Sequence, residues 1–267
     1  MKGFMKKAAL FFDIDGTLLS EVTKEIPKSA LDAMRAAKEA GHLLFINTGR
    51  TLCSIPAMIR QFPFDGFLCG CGTCLTYQDE VLFSSSIPEK RGKEIIRKMM
   101  ECRLDGIMEG TEDIYLPERI SRFDRLEGSR RYFQNEGLGM ECYLESGDFI
   151  YDKLFVYADE KSDKESFFRF IESDMQVIDR GGDTYECAQK PYSKGTACDF
   201  ILKKFGMELD QAYVFGDSMN DLAMFEYAVH TIAMGEHAKG LEPYTEYVTA
   251  KVEDDGIAQA IRHYGLM

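Results

Sequence analysis

No run in the chain approaches the ~20 consecutive apolar residues that cross a bilayer, and there is neither a low-complexity tract nor an internal repeat. The sequence therefore predicts neither a membrane-spanning nor a fibrous protein. Positive charge is also short: 32 Lys and Arg stand against 45 Asp and Glu, for a net charge of −13. A field of that sign repels anions, which argues against a nucleic-acid partner held by phosphate neutralisation. Any anionic ligand must be held by local chemistry. The opening "MKGFMKKAALFF" begins basic and turns apolar, but the apolar run is only a few residues long and meets Asp13 at once, so a cytoplasmic protein is expected. A 267-residue chain with 45% apolar residues can bury a sizeable core, so its eight cysteines are not needed as disulfide staples and read as reduced thiols.

What is present is an alternation of short apolar runs and helical patterns, the signature of an α/β protein with a mostly parallel sheet. Ala8 to Phe12 reads as a first strand, about Pro27 to Ala40 as a helix stopped by Gly41, and "HLLFINTGR" as a second strand. A weaker helix is expected over Ser54 to Gln61, then a third strand in "GFLCGCG". Residues 84–187 are more charged, with 16 Lys and Arg against 24 Asp and Glu. There "YDKLFVYAD" reads as a strand and "KESFFRFIE" as a helix. From "TYECAQK" onward the first texture returns: Ser193 caps a helix through about Phe205 ended by Gly206, and "AYVFGD", "HTIAM" and "EYVTA" read as strands. The expected architecture is a Rossmann-like, mostly parallel sheet core over 1–83 and 188–267, interrupted by an inserted α+β domain over 84–187.

Four polar clusters stand where strands end or a helix begins: "DIDGT", "NTGR", "SKGTA" and "GDSMND". Strand C-termini are where open parallel sheets place their ligands. Asp13 and Asp15 would share one face of an extended segment, and Gly16 lets the chain turn so that both converge on one group. Two such carboxylates repel each other unless a hard cation lies between them or one holds a proton. Asp217 and Asp221, four residues apart, add oxygen ligands on one side of a starting helix, and four carboxylates suit octahedral Mg²⁺ over a soft metal. Taken alone, Asp217 could instead be a helix cap with Asp221 facing water. Lys194 lies one residue past the capping Ser193, where its ammonium and the helix amides can meet one anion. Thr48 and Gly49 supply a hydroxyl and an open amide for a phosphoryl oxygen. Phosphoryl transfer through an aspartyl phosphate, with water as final acceptor, uses all of them.

In their order, "DIDGTL", "NTGR", "SKGTA" and "GDSMNDLAMF" resemble the four motifs of the haloacid dehalogenase superfamily of phosphohydrolases, and "GDSMNDLAMF" and "EDDGIAQAI" resemble its Cof-like branch. The insert matches that branch's large cap in length and placement. The resemblance implies that Asp13 attacks phosphorus and that Asp15 protonates the leaving alcohol and then accepts a proton from water. It implies that Mg²⁺ meets Asp13, the backbone carbonyl of Asp15 and Asp217, with Asp221 in support. Thr48, the Gly49 amide, Lys194 and Asn220 would hold the phosphoryl oxygens, assisted by the Ile14 amide. The aspartate at position 15 disfavours carbon–halogen chemistry, because superfamily dehalogenases do not keep one there. The implied activity is hydrolysis of small phosphorylated metabolites, sugar phosphates foremost. A phosphomutase of the phosphomannomutase type and a non-catalytic phosphoryl-binding protein are the alternatives.

Some residues depart from the pattern. Cys71-Gly72 stands where the branch usually has Asn-Gly, and Glu236 replaces an asparagine in "AMGEHA". Cys69, Cys71 and Cys74 lack a fourth ligand at zinc spacing. In the insert, "RISRFDRLEGSRR" carries five arginines from Arg119 to Arg131. It reads first as a solvated helix face with internal ion pairs and second as a grip for an acidic substrate.

Overall fold

The computed structural model describes residues 6–78 and 80–267. In chain order its first elements are β1 (Ala9–Phe12), α1 (Lys28–Glu39), β2 (Leu43–Asn47), α2 (Ala57–Arg60), β3 (Gly66–Cys69), β4 (Cys74–Tyr77) and β5 (Glu80–Ser84). They are followed by α3 (Glu89–Glu101), β6 (Asp105–Glu109), β7 (Ile114–Tyr115), α4 (Asp124–Asn135), β8 (Lys153–Tyr157), α5 (Lys164–Ile171), β9 (Met175–Asp179) and β10 (Thr184–Gln189). The last are α6 (Lys194–Phe205), β11 (Ala212–Gly216), α7 (Leu222–Tyr227), β12 (His230–Ala233), β13 (Tyr247–Val248) and α8 (Gly256–His263). No described helix is long and apolar enough to cross a membrane.

The chain divides into two compact units. One gathers the described residues up to Gly49 with Ala57–Leu82 and Ser193–Met267; the other holds Arg50–Pro56 and Phe83–Tyr192. In the first unit the sheet order is β13-β12-β11-β1-β2-β3-β4-β5. The pairs from β13 to β3 are parallel, and β4 runs antiparallel to β3. Strands β1 and β2 are buried at every residue, as expected for strands covered on both faces. From β1 the chain moves one way to β2 and β3, and it returns on the other side of β1 with β11. That reversal of strand order opens a crevice at the C-terminal ends of β1 and β11.

The second unit has an antiparallel sheet of order β7-β6-β8-β10-β9. Side chains alternate across it. Leu154 and Val156 of β8 join Ile95, Met99, Phe167 and Ile171 in a cluster under α3 and α5, whereas Tyr157 joins Ile107, Ile114 and Leu126 beside α4. Lys153 shares the face of Tyr157. Its ammonium pairs with Glu186 and lies 3.5 Å from Glu109, all three being buried.

The structure corrects the sequence reading in three places. The helix expected over Ser54 to Gln61 is a 3₁₀ turn at Leu52–Ser54 and a four-residue α2, because Ile55, held extended before Pro56, breaks the helix. "TYECAQK" does not return to the first sheet: β10 runs to Gln189 between β8 and β9, so the first unit resumes at Ser193 and not at 188. Residues 50–56, expected in the core, belong to the second unit, where the Cys53 amide donates to the Thr111 carbonyl at 3.1 Å.

The ion triad of the second unit makes a stability prediction. Lys153→Met leaves Glu109 and Glu186 buried without that cation, and it should destabilise the protein by about 3–5 kcal/mol in urea unfolding. Burial already pushes the Glu109 carboxyl up. A folded-state carboxyl raised in this way favours the folded state as it takes up a proton, so the deficit should shrink as pH is lowered toward the ordinary carboxylate range.

Candidate active site

Three strands bring the site together through their register. Phe12 of β1 pairs with Ile46 of β2 on one side and with Phe215 of β11 on the other. Asp13, Asn47 and Gly216 therefore stand level, one step past the paired residues, and the Asp13 amide donates to the Phe215 carbonyl at 3.0 Å. Helix α6 supplies the fourth component. Ser193 caps it by accepting from the Thr196 amide at 3.1 Å, while the Thr196 hydroxyl accepts from the Ser193 amide at 2.9 Å.

Lys194, the first residue of that helix, is 1% exposed. Its ammonium donates to Asp13 Oδ1 at 2.5 Å, to Asp221 Oδ1 at 2.6 Å and to Asn220 Oδ1 at 3.2 Å. Asp221 is wholly buried, and its other oxygen accepts from the amides of Asp217 and Ser218 at 2.9 and 3.0 Å. The reading of Asp221 as a water-facing residue is thereby removed. It also lies on a 3₁₀ turn, Met219–Asp221, before α7, so its carboxylate folds back onto the loop instead of lying along a helix. Asp217 accepts from the Thr17 hydroxyl at 3.1 Å.

After Asp13 the chain turns tightly, with the Ile14 carbonyl accepting from the amides of Thr17, Leu18 and Leu19. Gly16 sits in this turn at φ +80°, and a Cβ on it would lie 2.6 Å from Asp217 Oδ2, so both the backbone and the close approach require glycine. The buried Thr48 follows β2; its amide donates to Leu68 O at 2.8 Å and its carbonyl accepts from Cys71 at 3.1 Å. Gly72 backs onto the head of α6, where a Cβ would meet Ser193 O at 2.7 Å.

One oxygen each from Asp13, Asp217 and Asp221 lie within 4.8 Å of one another. The Asp15 carboxylate is not part of that group. Burial drives the Asp13 carboxyl up to about 7, against the opposing pull of Lys194. Burial followed by repulsion from Asp13 and Asp221 drives Asp217 up to about 8. Burial works against the Lys194 charge as well, but Asp13 and Asp221 outweigh it and hold its pKa above the ordinary lysine value. The cluster thus concentrates three carboxyl groups around a single ammonium, and its all-oxygen donor set fits a hard divalent cation.

Two residues complete the geometry without having been picked out by their motifs. Asn47 is fully buried and donates from Nδ2 to the Lys194 carbonyl at 2.9 Å, tying β2 to the start of α6. Thr17 holds Asp217. Their signal was a polar residue closing the apolar "LLFIN" and the hydroxyl that ends "DIDGT".

The other flagged positions are accounted for within their own units. Of the five arginines, Arg119 pairs with the buried Asp105, Arg122 with Asp159 and Arg130 with Glu127, and Arg125 donates to the carbonyls of Gly181 and Gly182. Cys69, Cys71 and Cys74 are buried at the end of β3, in the turn and at the start of β4. Glu236 is exposed and pairs with Lys251.

Comparison with known proteins gives a concordant result. The family model of the haloacid dehalogenase-like hydrolases matches residues 10–261. YkrA of Bacillus subtilis (strain 168) is 25% identical over 276 residues, covering 98% of this chain and 100% of that protein. The pyridoxal phosphate phosphatase YbhA of Escherichia coli (strain K12) is 24% identical over 270 residues, covering 96% of this chain and 98% of that one. The solved structure of the sugar phosphatase BT4131 is similar with a TM-score of 0.83 at 26% identity, over 98% of this chain and 100% of that one. The match spans both core segments and the insert between them, and the chain belongs to the haloacid dehalogenase-like hydrolase family.

Proposed function

We propose that the protein is a Mg²⁺-dependent phosphatase that hydrolyses small phosphorylated metabolites, sugar phosphates foremost, through an aspartyl phosphate on Asp13. The observation that carries this reading is the buried contact of Lys194 with Asp13 at 2.5 Å, with Asp217 and Asp221 converging on the same point. The similar proteins YbhA and BT4131, a pyridoxal phosphate phosphatase and a sugar phosphatase, support the choice of small monoesters.

In this mechanism an Asp13 carboxylate oxygen attacks phosphorus, and the ester P–O bond breaks as the departing oxygen takes a proton from Asp15. Water then attacks the same phosphorus and gives its proton to Asp15. Inorganic phosphate leaves and the Asp13 carboxylate is regenerated. Lys194, Asn220, the Thr48 hydroxyl and the amides of Gly49 and Ile14 hold the phosphoryl oxygens, so catalysis is chiefly positioning and charge stabilisation. The Asp13 and Asp217 carboxylates and the Asp15 backbone carbonyl would hold Mg²⁺, with Asp221 fixing the loop that carries Asp217. When bound, the cation supplies positive charge to the phosphoryl oxygens.

Two variants test this reading. Asp13→Asn should lower kcat for release of inorganic phosphate by at least about 10⁴-fold, and the wild-type activity should vanish with a chelator and return with Mg²⁺. Full activity in Asp13→Asn, or an isomerised sugar phosphate in place of free phosphate, would refute it. Asp15→Asn should lower kcat by roughly 10²- to 10⁴-fold while titration calorimetry shows Mg²⁺ binding close to wild type. Loss of Mg²⁺ binding in that variant would show that the side chain of Asp15 serves the metal and not the proton.

A further inference from the structure

The chain passes between the two units after Gly49, Pro56, Leu82 and Tyr192, so three segments of the second unit carry its connections: residues 50–56, the stretch that begins at Phe83 and the stretch that ends at Tyr192. Inside that unit all three meet at Asp152, the residue before β8. Its Oδ1 accepts from the Ser86 hydroxyl at 2.6 Å, which holds the stretch after Phe83. Its Oδ2 accepts from the Thr111 hydroxyl at 2.7 Å, and the Thr111 carbonyl accepts from the Cys53 amide at 3.1 Å, which holds residues 50–56. The Asp152 carbonyl accepts from Gln189 Nε2 at 3.0 Å, and the same Nε2 donates to the Ser85 carbonyl at 2.8 Å, so the stretch before Tyr192 is bound as well. The rings of Phe83 and Tyr192 lie 5.3 Å apart between centres. Finally, the Asp152 amide donates to the Glu109 carbonyl of β6 at 2.8 Å and anchors the group to the sheet.

Asp152 is 1% exposed, and among the described residues no cation pairs with it. Burial pushes its carboxyl up, against the pull of the two hydroxyls. A buried carboxyl without a cation is costly, and an apolar side chain in its place would avoid that cost. An apolar side chain could not, however, accept one hydrogen bond on each of two oxygens from hydroxyls in separate segments.

We infer that Asp152 is a fastener: by binding the three connecting segments to one point of the second unit's sheet, it makes them a single mechanical element that loosens as a whole and not segment by segment. Independent connections could each shift alone, whereas connections fastened to one point shift only together. This role is independent of the phosphatase reading.

Amide hydrogen exchange in the intact protein tests it, read at Cys53, Ile87 and Tyr192, whose N–H groups donate to the carbonyls of Thr111, Tyr151 and Gln189 at 3.1, 2.8 and 3.1 Å. Asp152→Ala removes both carboxylate bonds, and exchange at all three amides should quicken by roughly tenfold or more, the scale of a hydrogen bond to a charged group. Asp152→Asn is the conservative variant. A hydroxyl accepts as well as donates, so the asparagine amide can still bridge Ser86 and Thr111, and exchange should stay near the wild-type rate. Ser86→Ala and Thr111→Val keep the carboxylate and each removes one of its partners. Each should still quicken all three amides, while exchange in α3, α5, β1 and β2 holds at the wild-type rate.

Quickening confined to Ile87 in Ser86→Ala and to Cys53 in Thr111→Val would overturn the inference, because the segments would then be held one by one. Quickening that spreads equally through α3, α5, β1 and β2 would overturn it too, since Asp152 would then serve the stability of the fold and not its connections. If Asp152→Ala does not fold, the Ser86 and Thr111 variants decide.

Discussion

A single buried ammonium organises this protein's chemistry. Lys194 opens a helix, where the aligned backbone dipoles disfavour a cation, and it is removed from water, which disfavours charge again. Both costs are offset only because Asp13 and Asp221 lie against it at 2.5 and 2.6 Å. Lys28 and Lys164 also open helices, but neither is buried; a buried charge compensated by residues 181 and 27 positions away marks a functional site. With Asp217 added, the cluster has more carboxyl groups than one ammonium can neutralise. The rise of Asp13 and Asp217 is the consequence, and an additional cation is the natural remedy.

The convergence is a property of the sheet. Residues 13, 47 and 216 stand level because β1 is flanked by β2 and β11, and both neighbours run parallel to it. Each strand end exposes a loop on the same side, and loops carried by rigid strands are where catalytic groups are placed with precision. Gly16 lets the first loop fold over Asp217 at a distance no larger residue would tolerate. Asn47 and the capping box on Ser193 then fix the head of α6, so that Lys194 has little freedom to leave its partners.

Much of this was legible in the sequence, for a physical reason. Buried parallel strands such as "ALFF" and "LLFI" are continuous apolar runs, and the polar residues that follow them stand out. Asp13, Asp217 and Asp221 were picked out in that way, Lys194 by its place beside the capping Ser193, and Asn220 by the family resemblance alone. What could not be read was non-local or subtle. The texture of "TYECAQ" shows a strand but not which sheet it joins, because pairing with β8 and β9 depends on residues far off in the chain. The short α2 is decided by Pro56 and the extended Ile55, which outweigh the helical spacing around them. Asn47 and Thr17 escaped notice because they touch other site residues and carry no unusual chemistry of their own. The arginine run was ambiguous for the opposite reason: a basic patch looks the same whether it faces a ligand or, as with Arg119, Arg122, Arg125 and Arg130, its own unit.

The division of the chain separates two demands. Every residue proposed to handle phosphorus or metal lies in the first unit, where the pairing of Lys194 tolerates little change. The second unit has its own antiparallel sheet and its own apolar clusters on both faces. Its surface side chains can therefore vary without disturbing the charge balance around Asp13, since substitutions at separate cores act almost independently. Phe83 and Tyr192 begin and end the long insert, but residues 50–56 also belong to it, and they begin directly after Gly49. The residues proposed for the chemistry are thus kept in one core, and the other unit is joined to it in the chain directly after the residues proposed to grip the phosphate.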